Sequence, residues 1–198
     1  MGLLQLAAVA LALGSVGHSS PVPQGGTAPA AKYCDASTSI CYSEYVSQEK
    51  IAIRVAIPDT ATAGNFDVLL QIEAPKTVGW AGVAWGGVMV NNPLTVGWAN
   101  GTSAVVSSRS AGTKANDTHW TLSVLAQGVS AWGTTKLDPS STVSLAYAQA
   151  ATPPTEPANN ASRFSIHNSH QKFSIDLKSA QIANFTELVQ KASAAKAA

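Results

Sequence analysis

Residues 67–100, DVLLQIEAPKTVGWAGVAWGGVMVNNPLTVGWAN, decide the fold of this 198-residue chain. They hold three short runs rich in apolar side chains, over 67–74, 77–87 and 94–100. Proline, glycine and asparagine residues, which favour turns, separate the runs. Short apolar runs punctuated in this way are typical of antiparallel β strands, so the segment predicts three consecutive strands.

The same pattern continues outward on both sides of this segment. Further strand-like runs cover 51–57, 103–110, 119–126, 142–149, 164–168 and 172–177. Their spacing, about ten residues, predicts an all-β, immunoglobulin-like antiparallel sandwich. The C-terminal end has helical periodicity instead, with four apolar side chains on one face: Ile182, Phe185, Leu188 and Val189. We therefore expect one short helix to close the chain.

The N-terminal segment has the pattern of an export signal followed by a linker. Residues 3–13 are apolar and small residues follow, which predicts a signal peptide over 1–20. Residues 21–32 are rich in proline, glycine and alanine, which predicts a disordered linker before a single domain over 33–194. Outside the signal, no apolar run approaches the length needed to cross a bilayer. The sequence thus predicts a secreted, extracellular protein with no membrane anchor.

The surface chemistry agrees with export. Charged residues make up 12% of the chain and the net charge is +1, so composition gives no sign of nucleic-acid binding. Four asparagines lie in N-x-S/T sequons and are predicted glycosylation sites: Asn100, Asn116, Asn160 and Asn184.

Two cysteines, Cys34 and Cys41, are the only ones in the chain. In an oxidising compartment such a pair is most simply a disulfide, which here would close a loop of about eight residues. The alternative is a metal site. It is the weaker interpretation, because no histidine or further cysteine lies nearby to complete one.

The chain lacks the motifs of common hydrolases and nucleotide enzymes, such as G-x-S-x-G, a Walker loop or H-E-x-x-H. A different chemistry is open to it, because a methionine sulfur and a histidine nitrogen are the axial ligands of electron-transfer haems. Met89 is the only methionine after the initiator, and His167 or His170 would supply the imidazole. The alternatives are that Met89 fills the core and that the histidines are ordinary surface residues.

Three segments resemble the cytochrome domain of cellobiose dehydrogenase, a DOMON-like β-sandwich family that binds haem b. They are YCDASTSICYSEY (33–45), FDVLLQIEAPKTVGWAGVAWGGVMVNNPLTVGWANG (66–101) and SRFSIHNSHQKFSIDLKSA (162–180). The resemblance implies that Met89, in GVMVNN, is one axial ligand of a haem b. It implies His167 as the other ligand, with His170 as the alternative. Trp85 and Trp98 are candidate contacts of the cofactor, although large aromatics in a sandwich are more often plain core.

The resemblance also implies a function. The chain would be an electron-transfer protein, and not a catalyst on its own, that acts as a monomer. Its donor would be a flavin dehydrogenase, and its acceptor a copper-dependent polysaccharide monooxygenase or ferric iron. Two other interpretations stay open: a haem-free module that binds carbohydrate or a small apolar ligand, and an accessory protein of a small-molecule pathway.

Overall fold

A computed structural model describes residues 31–107 and 111–194. The strands are, in chain order, β1 (Ala31–Cys34), β2 (Cys41–Val46), β3 (Ala52–Pro58), β4 (Val68–Pro75), β5 (Trp80–Ala84), β6 (Leu94–Asn100), β7 (Ser103–Val106), β8 (Ala111–Ala115), β9 (His119–Ala126), β10 (Ala131–Trp132), β11 (Thr135–Lys136), β12 (Thr142–Ala150), β13 (Ser169–Asp176) and β14 (Gln181–Ile182). One helix, α1 (Phe185–Ala194), ends the described part of the chain.

Two sheets face each other. The larger has the order β1-β2-β3-β4-β9-β8, with β14 alongside β3, and the smaller has the order β13-β12-β5-β6-β7. Every pairing is antiparallel except that between β14 and β3. The predicted all-β antiparallel sandwich with a short C-terminal helix is therefore confirmed.

The core lies between the sheets and follows from strict alternation along the strands. In β9, Trp120, Leu122 and Val124 are buried while their neighbours are half-buried. A fully buried leucine or valine contributes roughly 1.5–3 kcal/mol relative to an exposed one, so these positions dominate the stability of the sandwich. Gly97 allows close packing of the sheets, because an added Cβ would lie 2.4 Å from a methyl group of Leu122.

Helix α1 covers the side of the larger sheet that faces away from the core between the sheets. Phe185 packs in a second apolar cluster with Ile40, Tyr42 and Leu69, and Leu188 and Val189 lie against it. The prediction of a common apolar face is therefore confirmed for these three residues of the helix. Ile182, the fourth, also packs there but belongs to β14, which pairs in parallel with β3.

Several strands differ from the prediction. β7 ends at Val106, inside the predicted strand 103–110, and β8 follows as a separate strand that was not expected. Strands β1 and β2 have no strong alternation and were not expected, and β1 starts at Ala31, inside the predicted linker 21–32. Residues 164–168 form no strand. They cross the surface of the smaller sheet instead of pairing at its edge. The predicted signal peptide and the rest of that linker lie outside the described residues. Within the described residues, no helix is long and apolar enough to span a membrane.

Candidate functional site

The smaller sheet has an apolar surface on the side that faces away from the larger sheet, which we call the outer face. Along β5, Ala81 and Val83 point into the core, so Gly82 and Ala84 lie on the outer face. Ala148 of β12 pairs with Gly82, and Ala146 pairs with Ala84. The centre of the outer face is therefore a floor of glycine and alanine. Gly82 and Ala84 are buried there, and the Val96 side chain lies against Gly82, since an added Cβ would be 2.9 Å from a Val96 methyl group.

Two tryptophans border this floor near the start of β5. Trp80 and Trp98 are buried in a third apolar cluster, and their rings lie 4.9 Å and 6.4 Å from that of Phe164. The Trp80 indole donates to Ser165 Oγ at 3.3 Å, and the Trp98 indole donates to the Pro157 carbonyl at 2.8 Å. These contacts anchor the long connection between β12 and β13 onto the outer face.

Both candidate histidines follow directly on this anchored segment. In β13, Phe173 and Ile175 face the core, so His170 projects from the outer face, where it pairs with Ala148. The His167 ring is 4.5 Å from the His170 ring. The structure thus brings the two imidazoles together beside the floor.

Hydrogen bonds hold the two residues that follow His167. The Asn168 N–H donates to the Gln149 carbonyl at 2.8 Å, and its side-chain oxygen accepts from the Ala151 N–H at 3.1 Å. One residue further on, the Ser169 hydroxyl donates to the Glu49 carboxylate. The histidine segment is therefore tied to β12 and to the β2–β3 turn.

Met89 lies in the β5–β6 loop, beyond the end of β5 opposite Trp80. Its side chain is 50% exposed, which excludes the interpretation of Met89 as a core filler. The loop turns at Gly87 and Asn91, whose φ angles are +75° and +61°. It approaches the outer face, because a Cβ added at Gly87 would lie 2.9 Å from the hydroxyl of Ser144 on β12.

Exposed large apolar side chains concentrate on these two segments. Among the described residues, six of the seven form what we call the apolar rim: Val88, Met89, Val90, Leu94, Phe164 and Ile166. Ile166 and Val90 are the most exposed, at 83% and 73%. Exposed apolar residues normally occur singly on a protein surface. A cluster of six therefore marks a binding surface.

The predicted aromatic contacts do not share one surface. Trp85 is buried in the core between the sheets, and its indole donates to Thr95 Oγ1 at 3.1 Å. Trp98 is on the other side, where Phe164 and the Pro157 carbonyl cover it. Trp85 is therefore a core residue, and Trp98 acts on the outer face by supporting Phe164.

The chemistry of this surface fits a haem. An iron that receives four nitrogens from a porphyrin needs only two ligands from the protein, and a thioether with an imidazole is such a pair. Among the described residues there is no group of three or more His, Cys, Asp or Glu side chains that would hold a bare metal ion. The apolar rim suits the flat macrocycle, and Met89 and the histidines offer a thioether and an imidazole to its metal.

A separate groove of about 310 Å³ lies at the end of the sandwich, lined by Phe66, Ser130 and neighbouring loop residues. Its lining is mainly polar and contains neither methionine nor histidine. It therefore lacks the donor atoms of the outer face.

The disulfide and the four sequons are the remaining predicted sites. The Cys34–Cys41 disulfide is present and joins β1 to β2, so this prediction is confirmed. The sequon asparagines are all partly or fully exposed: Asn100, Asn116, Asn160 and Asn184. Their glycosylation stays a prediction.

Comparison with known proteins identifies the family. The fold and the outer face are those of a β-sandwich domain suited to a flat apolar cofactor. The family model described as the cytochrome domain of cellobiose dehydrogenase matches residues 33–114 and 110–187. The chain therefore belongs to the family of cytochrome domains of cellobiose dehydrogenase.

A curated relative and two solved structures are similar to the chain. The pyrroloquinoline quinone-dependent pyranose dehydrogenase of Coprinopsis cinerea is 31% identical over 80 residues, which are 39% of this chain and 11% of that protein. The cytochrome b domain of Coprinopsis cinerea pyranose dehydrogenase superposes with a TM-score of 0.73 at 19% identity, over 83% of this chain and 96% of that domain. The cytochrome domain of Myriococcum thermophilum cellobiose dehydrogenase gives 0.72 at 18% identity, with the same shares. These structures establish the shared fold.

Proposed function

We propose that the chain is a secreted b-type cytochrome that holds one haem b on the outer face and carries single electrons. Met89 and His167 would be the axial ligands, with His170 as the alternative to His167. The observation that carries the proposal is the apolar rim around a glycine and alanine floor, with a thioether on one segment and two imidazoles on the other. Membership in a family of cytochrome domains supports it.

The residues of the chain would determine which chemistry the site performs. A bound haem supplies an iron that changes its charge by one electron. Met89 contributes a thioether that carries no proton, and His167 contributes an imidazole held by the anchored segment beside Asn168. With Met89 and His167 both held to its metal, the group would exchange electrons and would not bind oxygen or a substrate. The side chains would thus restrict the site to electron transfer.

The proposed partners follow from the relatives. Similar cytochrome domains occur in cellobiose dehydrogenase and in pyranose dehydrogenase. The proposed donor is therefore a sugar-oxidising dehydrogenase, with a flavin or a quinone cofactor. A copper-dependent polysaccharide monooxygenase or ferric iron is the proposed acceptor. The proposed location is extracellular, in agreement with the disulfide and the exposed sequons.

The structure gives little support to carbohydrate binding by a haem-free module. Sugar rings generally stack on exposed aromatic faces, and the outer-face tryptophans Trp80 and Trp98 are buried. Phe164 is the one large aromatic side chain of the apolar rim.

Haemin titration of the purified protein tests the proposal. We expect saturation at one haemin per chain and a low-spin spectrum with sharp bands after reduction. His119→Ala is the matched control, because His119 lies at the start of β9, bonded to Thr118. A protein that takes up no haemin but binds soluble oligosaccharides would contradict the proposal and support the binding module.

A further inference from the structure

We infer that Asn92 is the positioning residue that presents the Met89 thioether, and that Trp132 holds Asn92 in place. This inference rests on the proposed function for the role of Met89. The role of Asn92 follows from the geometry of the β5–β6 loop. Asn92 was not among the site residues predicted from the sequence.

The side-chain amide of Asn92 bonds to the carbonyl groups of the two residues that flank Met89. Its Nδ2 donates to the Val88 carbonyl at 2.9 Å and to the Val90 carbonyl at 3.0 Å. Both protons of the amide are thereby used. One planar group thus holds the backbone on both sides of the proposed ligand, at the peptide that precedes Met89 and at the peptide that follows Val90.

The third contact of this amide connects the loop to the body of the sandwich. Asn92 Oδ1 accepts a hydrogen bond from the Trp132 indole at 3.0 Å. Trp132 lies on β10 and packs against the core between the sheets. The orientation of the Asn92 amide is therefore set by a side chain that is itself held by the core.

The residues around Asn92 are those that this arrangement requires. A Cβ at Gly86 would lie 1.9 Å from Asn92 Oδ1, so a side chain there would expel the amide. Gly87 and Asn91 have positive φ angles, which glycine and asparagine adopt at the lowest cost. The segment GGVMVNN thus contains two residues that turn the loop, Gly87 and Asn91. It also contains Gly86, whose missing side chain leaves room for the Asn92 amide.

The position of the Met89 backbone matters because the side chain is exposed and has many rotamers. A methionine side chain has three rotatable bonds, and a solvent-exposed loop without anchors adds backbone freedom. Binding of the thioether to iron must overcome the entropy lost when the side chain and the loop backbone become ordered. A backbone that is fixed beforehand lowers that cost. Asn92 would therefore act on the strength of the iron–thioether bond without touching the iron.

Asn92→Asp tests the inference with the smallest change. The carboxylate keeps the shape of the amide and an acceptor for Trp132, but it loses both N–H donors and faces two carbonyl oxygens. Trp132→Phe is the second variant, which removes the indole donor and shortens the side chain but keeps an aromatic ring against the core. Asn116→Asp is the matched control, because the Asn116 side-chain oxygen accepts from the backbone of Thr118 and His119 and an aspartate preserves those bonds.

The first measurement uses the protein without haem. Selective ¹⁵N-methionine labelling gives one internal backbone amide, that of Met89, because Met1 is the only other methionine. We expect a rigid signal in the parent, with an order parameter near ~0.85, and a value below ~0.6 in Asn92→Asp. Trp132→Phe should fall between them, and Asn116→Asp should match the parent. A Met89 amide that stays rigid in both site variants would overturn the inference.

The second measurement uses the haem-loaded protein. We expect Asn92→Asp to show a mixture of six-coordinate and five-coordinate iron and a lower reduction potential, while Asn116→Asp keeps the parent spectrum. A loosened loop with an unchanged spectrum would show that Asn92 is only structural and would also overturn the inference. If the parent itself binds no haem, the proposed function fails, and the role of Asn92 toward a ligand fails with it.

Discussion

At the scale of single residues, Glu49 shows how one carboxylate links distant parts of the chain. It accepts hydrogen bonds from Ser169 and from Tyr147, the latter at 2.8 Å. Partial burial raises the pKa of Glu49, but the hydrogen bonds that the carboxylate accepts, first those from Ser169 and Tyr147, outweigh burial, so the pKa lies below its usual value. Burial, followed by the bond to Glu49, raises the pKa of Tyr147 to about 12.

The lowered pKa of Glu49 predicts a pH dependence of stability. A carboxylate whose pKa is lower in the folded state stabilises the fold above its unfolded pKa, about 4.3, and loses that effect as the pH falls through the folded value. We therefore expect Glu49→Gln to destabilise the protein at neutral pH and to lose less stability than the parent on acidification. Urea unfolding at neutral and acidic pH measures both effects. The exposed Glu187→Gln serves as a control, and equal acid sensitivity of parent and Glu49→Gln would refute the prediction.

At the scale of elements, Arg54 connects the first four strands of the larger sheet. From β3, its guanidinium donates to Glu44 of β2 at 2.6 Å and to Gln71 and Glu73 of β4 at 2.6 and 2.7 Å. It also lies 3.6 Å from the ring centre of Tyr33 on β1. Burial lowers the pKa of this group, but the neighbouring carboxylates outweigh burial and the net pKa is raised.

Removal of this guanidinium should be costly. Arg54→Met keeps the aliphatic stem but leaves Glu44 and Glu73 facing each other without a cation. We expect a loss on the order of 3 kcal/mol in the free energy of unfolding, since breaking a buried ion pair strands its partner charges. The triple variant with Glu44→Gln and Glu73→Gln should recover part of the loss. Denaturant titration measures it, and a triple variant no more stable than Arg54→Met would contradict the explanation.

The disulfide secures the edge of the same sheet. Cys34 and Cys41 are paired positions of β1 and β2, so the bond holds β1, an exposed edge strand, in register. Replacing both cysteines with serine should lower the free energy of unfolding by about 2–3 kcal/mol, since the closed loop has about eight residues. Chemical denaturation of the two proteins tests this. Equal stabilities would show that β1 does not depend on the bond.

At the scale of the whole molecule, the sequence predicts elements better than surfaces. Apolar runs bounded by turn residues give β3, β4, β6, β9 and β12 within one or two residues. This pattern fails for residues 164–168, where Phe164 packs against Trp80 on the outer face and Ile166 is exposed. The floor was also beyond prediction, because Gly82 and Ala148 meet only through strand register. Met89 stood out by its rarity, whereas Asn92 acts through backbone contacts that leave only a weak turn signal.

Haem ligation by Met89 and His167 is tested most directly by the spectrum of three haem-loaded variants. Met89→Leu should preserve the fold, since Met89 is half exposed and the swap conserves volume. We predict that it converts low-spin, six-coordinate iron to five-coordinate, high-spin iron with a lower reduction potential. His167→Ala should lose haem on gel filtration, whereas His170→Ala should keep both the haem and the six-coordinate spectrum. If Met89→Leu and both histidine variants retain the spectrum of the parent, these side chains do not ligate the iron.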